Sequence, residues 1–432
     1  MSVMSVANMF EKFLENLKID NEDIISSRYG EITASLNKYF RDTESKTNNS
    51  LQVGSYGRHT AIKDISDLDM IYFLPQDQWE RFKTKQSYLL QETKKAIKER
   101  YPNTEMSGDG QVVTVSFTDG QTFEILPAFE EDDGSFKYPD TNDGGSWKNT
   151  DPRKEIDAIS ELNKKKNGNL RELCKMARAW KNKHGIEMGG LLIDTLSYNF
   201  LNDTTDYDEK SYSSFDSLVK DFFNYLLNLP SEQTYYYAPG SKQRVNVKKS
   251  FQKKANEAYD LCLKAIEAKG SEGVNKKWIK IFGKPFPLAS SDKDEKRDSE
   301  INYDNTEEFI EDRYPIDIRY HIKLDCEVTQ NGVRNFWLLE KLDRKFKLRP
   351  KNNLLFKVIE NDIPEPFELK WKVLNKGIEA QKRNLIRGQI LDDAGYLNRN
   401  EETQFRGDHI VECYAIKNGV VVAKDSILVP IE

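Results

Sequence analysis

Residues 51–75 read LQVGSYGRHTAIKDISDLDMIYFLP. The apolar run Met70 to Leu74, closed by Pro75, predicts a buried strand. Asp67-Leu68-Asp69 leads into it. Side chains alternate along a strand, so Asp67 and Asp69 share one face while Leu68 and Met70 take the other. Two carboxylates about 7 Å apart on one face repel each other unless a cation lies between them. Hard divalent cations such as Mg²⁺ bind carboxylate oxygens and complete their shells with substrate phosphates. Upstream, Gly54-Ser55 opens a glycine-punctuated turn, GSYGRH, expected to lead into a short helix. Such a turn offers backbone N–H groups and the Ser55 hydroxyl to phosphate oxygens.

A third acid completes the pattern. Residues 112–117 (VVTVSF) and 122–126 (TFEIL) flank Thr118-Asp119-Gly120-Gln121, and Asp-Gly between apolar runs is a hairpin signal. Phe123 and Ile125 share one face of the second strand, which puts Glu124 on the other. An acid in the middle of an apolar strand needs a partner, and a metal supplies one. Asp67, Asp69 and Glu124 are therefore the candidate metal ligands and catalytic residues.

Gly-Ser, a short helix, Asp-x-Asp on a strand and a distant third acid resemble the polymerase-β-like nucleotidyltransferases. The fuller series GSYGRHTAIKDISDLDMIYFLP, FEILPAF, WKNTDP, LCKMARAWK and WIKIFGKPFP (278–287) is similar to the bacterial relatives of cyclic GMP-AMP synthase and oligoadenylate synthetase, the CD-NTases, over roughly residues 1 to 290. The sequence departs from that family's pattern in four places. His59-Thr60 stands where Gly-Thr is common. Glu124 stands for an Asp, Arg178 for a triphosphate-binding Lys, and Gly190 falls about where a Ser is usual. The resemblance implies two Mg²⁺ ions (Mn²⁺ being the other candidate), donor phosphates held by Gly54 and Ser55, and charge offset by Arg178 or, on the same helix, Lys181.

The chain has 432 residues, 38% hydrophobic and 31% charged, with a net charge of −6. Two or three domains are expected, and the charge argues against a surface built throughout for nucleic acid. Cys174, Cys262, Cys326 and Cys413 form no C-x-x-C pair and read as buried thiols of a reducing compartment. No segment has the length of a membrane span, so a cytoplasmic protein without a membrane partner is expected.

Helices are predicted over 5–18 and about 23–40, then a charged helical stretch over 76–101. Glu130 to Ser146 reads as a loop, and Asp151-Pro152 as a helix start. Asn169 to Lys183 is an amphipathic helix and Gly189 to Leu201 another. Tyr235-Tyr236-Tyr237 reads as a turn or edge with its tyrosines in a structural role, followed by the basic run KQRVNVKKSFQKK, whose lysines offer an RNA or DNA contact as the minority reading. Residues 290–312 are polar and charged, and beyond them the period becomes that of strands, with an Asn418-Gly419 hairpin. WKVLNKG (371–377), IRGQI (386–390) and the last thirty residues resemble the adenylyl/guanylyl cyclase and SMODS C-terminal sensor domain. His321 and His409 fall in this part. His409 and Cys413 stand about 13 Å apart along one strand, too far to share a metal.

The expected fold is α+β: a polymerase-β-like nucleotidyltransferase core with a helical spine and lobe, plus a separate C-terminal β-sandwich. Its expected domains are a catalytic lobe (1–160), a helical lobe (161–290), a charged linker (291–313) and a sandwich (314–432). The expected activity is metal-dependent joining of nucleoside triphosphates, ATP first among them, into a cyclic or short linear oligonucleotide. By resemblance this product is a second messenger of antiviral defence that acts on a separate effector protein, and the sandwich takes a ligand of its own. Two alternatives stay open: transfer of AMP to a protein or RNA end, in the manner of a toxin, and a non-catalytic nucleotide-binding regulator.

Overall fold

The computed structural model of the protein describes residues 4–271, 273–288, 307–330, 333–342, 346–383 and 385–432. Most of the expected linker, 291–306, lies outside the described residues. The chain forms two compact units. One holds Val3–Trp180 and Met188–Pro287, so the expected catalytic and helical lobes cluster as one body. The other gathers Lys181–Glu187 with the C-terminal residues.

The first unit opens with α1 (Val6–Asn16), capped by the Ser5 hydroxyl, which accepts from the Asn8 N–H, and α2 (Glu22–Arg41). Ile25, Ile32 and Leu36 recur at helical spacing and are fully buried, which seats α2 on the sheet. Next come β1 (Ser50–Gln52), α3 (Gly54–Gly57), β2 (Asp67–Phe73), α4 (Trp79–Phe82), α5 (Gln86–Arg100), β3 (Glu105–Asp109), β4 (Val112–Ser116), β5 (Thr122–Glu130), β6 (Phe136–Asp140) and β7 (Ser146–Thr150). These strands make one sheet of order β1-β2-β5-β4-β3, with β6 and β7 added beyond β5. β2 and β5 run parallel, and every other pairing is antiparallel. The sheet face carrying Leu68, Met70, Phe123 and Ile125 is covered by α2 and α5.

The helical portion is α6 (Pro152–Lys165), α7 (Asn169–His184), α8 (Gly190–Asn202) and α9 (Phe215–Leu227), then a ribbon of β8 (Tyr235–Tyr237) and β9 (Arg244–Asn246), then α10 (Gln252–Glu267) and α11 (Val274–Phe282). Asp151 caps α6, accepting from the Lys154 N–H, with Pro152 in the first turn. Phe10, Trp278, Phe282 and Phe286 pack edge to face and stacked, which ties the chain's first helix to α11.

One stretch differs from its sequence reading. Residues 130–146 were expected as a loop, yet they contain β6. Its Phe136 is fully buried and stacks on Phe73 at 4.9 Å. Polar turn residues on both sides mask this short strand, whose only strong apolar signal is that single ring.

In the second unit, β10 (Ile322–Gln330), β11 (Val333–Trp337), β12 (Asn353–Asn361), β13 (Glu368–Leu374), β14 (Arg387–Asp392), β15 (Asn398–Glu402), β16 (Gly407–Lys417) and β17 (Val420–Ile431) form two four-stranded sheets. Their orders are β11-β10-β12-β15 and β14-β13-β16-β17. Leu324, Cys326, Val328 and Phe356 of one face Trp371, Val411, Cys413 and Val422 of the other in a shared core. The sandwich begins before residue 314: the Glu308 N–H donates to Gly388 O at 3.0 Å, and Lys372 pairs with Glu307 at 2.7 Å. His409 is buried with both ring nitrogens occupied: the Lys376 N–H donates to Nδ1 at 3.2 Å, and Nε2 lies 3.1 Å from Phe405 O. Arg387 spans the two sheets with a bidentate pair to Glu401 at 2.6 and 2.9 Å.

Candidate active site

Strand register builds the acidic face. On β2, Asp67 and Asp69 alternate with buried Leu68 and Met70. On the parallel neighbour β5, Glu124 pairs in register with Asp69, and Asp67 with Thr122. Glu124 reaches this position because the Asp119-Gly120 hairpin returns β5 antiparallel to β4. Ligand oxygens of Asp67, Asp69 and Glu124 lie within 4.8 Å of one another, and all three residues are half-buried. Three carboxylates this close, on strands anchored by an apolar core, fit one or two hard divalent cations. Among the described residues the cluster is made of carboxylates alone, a donor set that suits a hard cation better than zinc.

The glycine turn is fitted against the same face. The Val53 N–H donates to Asp69 O at 3.0 Å, locking the start of the turn to β2. Gly54 has φ +63, and a Cβ there would stand 1.8 Å from Asp69 Oδ2. Only glycine lets the backbone come so near the carboxylate. Gly57 is confined differently, since its Cβ would meet the backbone oxygen of Gln52 at 2.4 Å. Ser55 O accepts from the Thr60 and Ala61 N–H groups at 2.9 and 3.2 Å, so the turn closes on itself beside the acids.

Behind the turn lies an ion-pair hub that the sequence did not suggest. Asp194 of α8 is fully buried. Arg178 donates to it through both terminal nitrogens at 2.6 and 3.0 Å, Arg58 Nε at 2.8 Å, and the Thr60 hydroxyl at 2.9 Å. Burial alone pushes the Asp194 carboxyl up, but Arg178 and Arg58 outweigh it and hold it at about 2. The Asp194 carboxyl is therefore held in its ionised form well below the ordinary carboxylate range. Its contribution to stability is present above the ordinary carboxylate range and lost as pH falls through about 2. Glu155 of α6 adds a second acid 3.5 Å from Arg58 and accepts from the Ser241 hydroxyl at 2.8 Å.

The structure brings Asp67, Asp69, Glu124, Gly54 and Ser55 together, but it places Arg178 and Lys181 elsewhere. Arg178 is buried with its guanidinium spent on Asp194, Gly190 O and Cys174 O. It braces the turn from behind, in place of the expected phosphate contact. The physical reason is Asp194, an acid on the next helix that claims the planar fork bidentately. Lys181 belongs to the C-terminal unit, where its ammonium donates to Ile318 O at 2.6 Å and lies 3.7 Å from Asp317. Both residues expected at the donor phosphates thus hold protein partners here. Arg178→Ala is expected to cost about 3 kcal/mol of stability, because it removes the bidentate partner of a buried carboxylate and leaves it only Arg58 and Thr60 as the named donors. Denaturant unfolding checks this, and a variant as stable as the parent removes the bracing role.

Two cations of α7 lie nearer the turn. Arg171 Nε donates to Arg58 O at 3.2 Å and its Nη2 to Ser160 Oγ at 2.9 Å. Lys175, one helical turn on, is half-buried beside Glu172 at 3.3 Å. Burial, followed by the charges of Arg171 and Lys175, holds the His59 imidazole below its ordinary range. The i, i+4 spacing of Arg171 and Lys175 was the signal that finds this face.

The four cysteines are free and buried. Among the described residues, no helix is long and apolar enough to cross a membrane. Residues 4–163 match the Second Messenger Oligonucleotide or Dinucleotide Synthetase domain, and residues 304–432 match the Adenylyl/Guanylyl and SMODS C-terminal sensor domain. A cytidylate cyclase of Staphylococcus aureus is 35% identical over 107 residues, 24% of this chain and 25% of that protein. A probable cyclic nucleotide synthase of Bacillus cereus strain VD146 is 27% identical over 179 residues, 38% of this chain and 51% of that protein. The chain thus spans a quarter and about half the length of these curated relatives. Among solved structures, CdnC of E. coli MS115-1 in a complex with HORMA-deltaN is similar at 17% identity and TM-score 0.49, over 65% of this chain and 97% of that one.

Proposed function

We propose that this chain, which belongs to the CD-NTases through its synthetase and sensor domains, is a metal-dependent nucleotidyltransferase that makes a cyclic or short linear nucleotide messenger from nucleoside triphosphates. One observation carries the reading: Asp67, Asp69 and Glu124 converge within 4.8 Å on two adjacent parallel strands.

The three carboxylates suit Mg²⁺, with Mn²⁺ as the other candidate. Bound there, the metal supplies Lewis-acid activation of the acceptor hydroxyl and neutralises the triphosphate and departing pyrophosphate. The chain's own groups do the rest. Gly54 brings backbone close to the metal-facing carboxylate, and the Ser55 hydroxyl stands at the same turn for a donor phosphate. Asp194 holds Arg58 and Thr60, and through them the shape of the turn. Lys175, half-buried beside its neighbour Glu172, is the α7 side chain we assign to the outer phosphates.

Lys175→Ala is expected to raise the apparent KM for nucleoside triphosphate about tenfold, the loss of one charge-assisted phosphate contact, while Lys181→Ala leaves it unchanged. Steady-state kinetics at saturating Mg²⁺ decide the matter, and the reverse pattern returns the phosphate role to Lys181.

The activity test is incubation of the pure full chain with each labelled triphosphate and Mg²⁺. A messenger synthase makes product from nucleotides alone. Transfer of AMP to an added protein or RNA, with no free product, supports the second reading. The names of the curated relatives also fit a cyclic mononucleotide, which product mass separates from an oligonucleotide. We further place the protein in the cytoplasm, consistent with its four free thiols, in antiviral defence with a separate effector for the product. The sandwich is assigned a ligand-responsive role over the synthase.

A further inference from the structure

We infer that the ribbon formed by β8 and β9 is a docking platform for single-stranded nucleic acid, separate from the acidic site. The tyrosine run was expected to lie against the domain in a structural role. The structure splits it by strand alternation. Tyr236 pairs in register with Val245, which is buried, while Tyr235 pairs with Asn246 and Tyr237 with Arg244. Tyr235, Tyr237, Arg244 and Asn246 thus share the outward face. Tyr237 is 52% exposed, large for a tyrosine with no folding reason to stay in water. It meets Tyr235 edge to face at 5.4 Å, and the Arg244 guanidinium sits 4.5 Å over the Tyr235 ring.

The platform is held in place from below. Gln243 donates to Asn149 O at 3.1 Å and accepts from the Thr150 hydroxyl at 3.3 Å. Gly240, at φ +75, passes so close to Lys154 O that a Cβ would stand 2.0 Å from it. Rings presented on a fixed support lose little entropy when something stacks on them.

Charge selects the partner. Between Ser231 and Lys254 stand six lysines and arginines against one acid, Glu232, in a chain whose net charge is −6. Lys242, Arg244, Lys248, Lys249, Lys253 and Lys254 are all exposed. One exposed and one half-buried ring interleaved with cations match a strand of unpaired bases on a phosphate backbone. An acidic peptide would satisfy the cations and leave the rings unused, and a duplex keeps its base faces stacked internally.

The test is fluorescence anisotropy of the full chain with a 5′-labelled mixed-sequence 12-nucleotide RNA, its DNA counterpart, and the duplex of each. The single strands are expected to bind more tightly than their duplexes, with affinity falling steeply as salt rises. Replacing Tyr235 and Tyr237 together with Ala is expected to weaken binding at least about fivefold. Phe at both positions keeps it, since the ring faces do the stacking, and Arg244→Ala weakens it. Comparison of RNA with DNA shows whether the ribose 2′-hydroxyl is read. Three results overturn the inference: no single-strand binding up to about a hundredfold above the micromolar range expected of a short platform, equal affinity for duplex, or binding unmoved by the double tyrosine substitution. Binding is read without turnover, so its failure leaves the synthase reading standing, and the converse also holds.

Discussion

Asp69→Asn is expected to slow nucleotide turnover about a thousandfold or more while leaving the fold intact. Asp69 sits at the centre of the acidic face, register-paired with Glu124 and flanked by Asp67 two residues before it. In the proposed reaction, removing a metal-holding charge at the phosphoryl-transfer centre would withdraw about 4 kcal/mol or more of barrier lowering. A second readout needs no activity. Three like charges within 4.8 Å destabilise the metal-free protein, so Mg²⁺ should raise the unfolding temperature of the parent by ligand linkage. Asp69→Asn should unfold at or above the metal-free parent's temperature and gain little from Mg²⁺. Turnover within about tenfold of the parent, roughly 1.4 kcal/mol, would sink the metal-ligand assignment.

Gly54→Ala is expected to lower turnover about a hundredfold with a smaller loss of stability. An alanine at φ +63 carries a backbone strain of about 1–2 kcal/mol. The larger effect is steric, because its Cβ would stand 1.8 Å from Asp69 Oδ2, so either the carboxylate or the turn must move. A displacement near 1 Å at a reacting centre costs about a hundredfold. Gly57→Ala is the control. Its Cβ meets the Gln52 backbone oxygen, so it should act on stability first, through β1. Thermal unfolding and turnover of both variants separate the two. Equal activity of Gly54→Ala and the parent would mean that the turn takes another conformation in the working enzyme.

The acidic face was legible in the sequence because two strong local signals fix it. Period two places Asp67 with Asp69, and the Asp-Gly turn puts Glu124 on a returning strand next to them. The sandwich was legible for the same reason, in its alternating strands and Asn418-Gly419 hairpin. What stayed hidden depended on partners far away in the chain. Arg178 looks like a phosphate ligand until Asp194 appears across two helices with its lone pairs aimed at the fork. Lys181 looks solvated until Ile318 O is found against it. The tyrosine run shows a different limit: three successive rings suggest packing, and only the pairing register reveals which of them face water. The start of the sandwich near Glu307 was obscured by its charged composition, since Glu307 and Glu308 serve there as ion-pair and hydrogen-bond partners.

The parallel pairing of β2 with β5 also sets when the site comes into being. Between them the chain makes α4, α5, β3 and β4, so the pairing is non-local and its loop must close before any contact rewards it. During synthesis, Asp67 and Asp69 leave the ribosome well ahead of Glu124. A nascent chain therefore carries half an acidic face until β5 emerges and slots in beside β2. Prematurely terminated chains ending before β5 lack the third carboxylate, and a chain of this design has no complete acidic face until its sheet is finished.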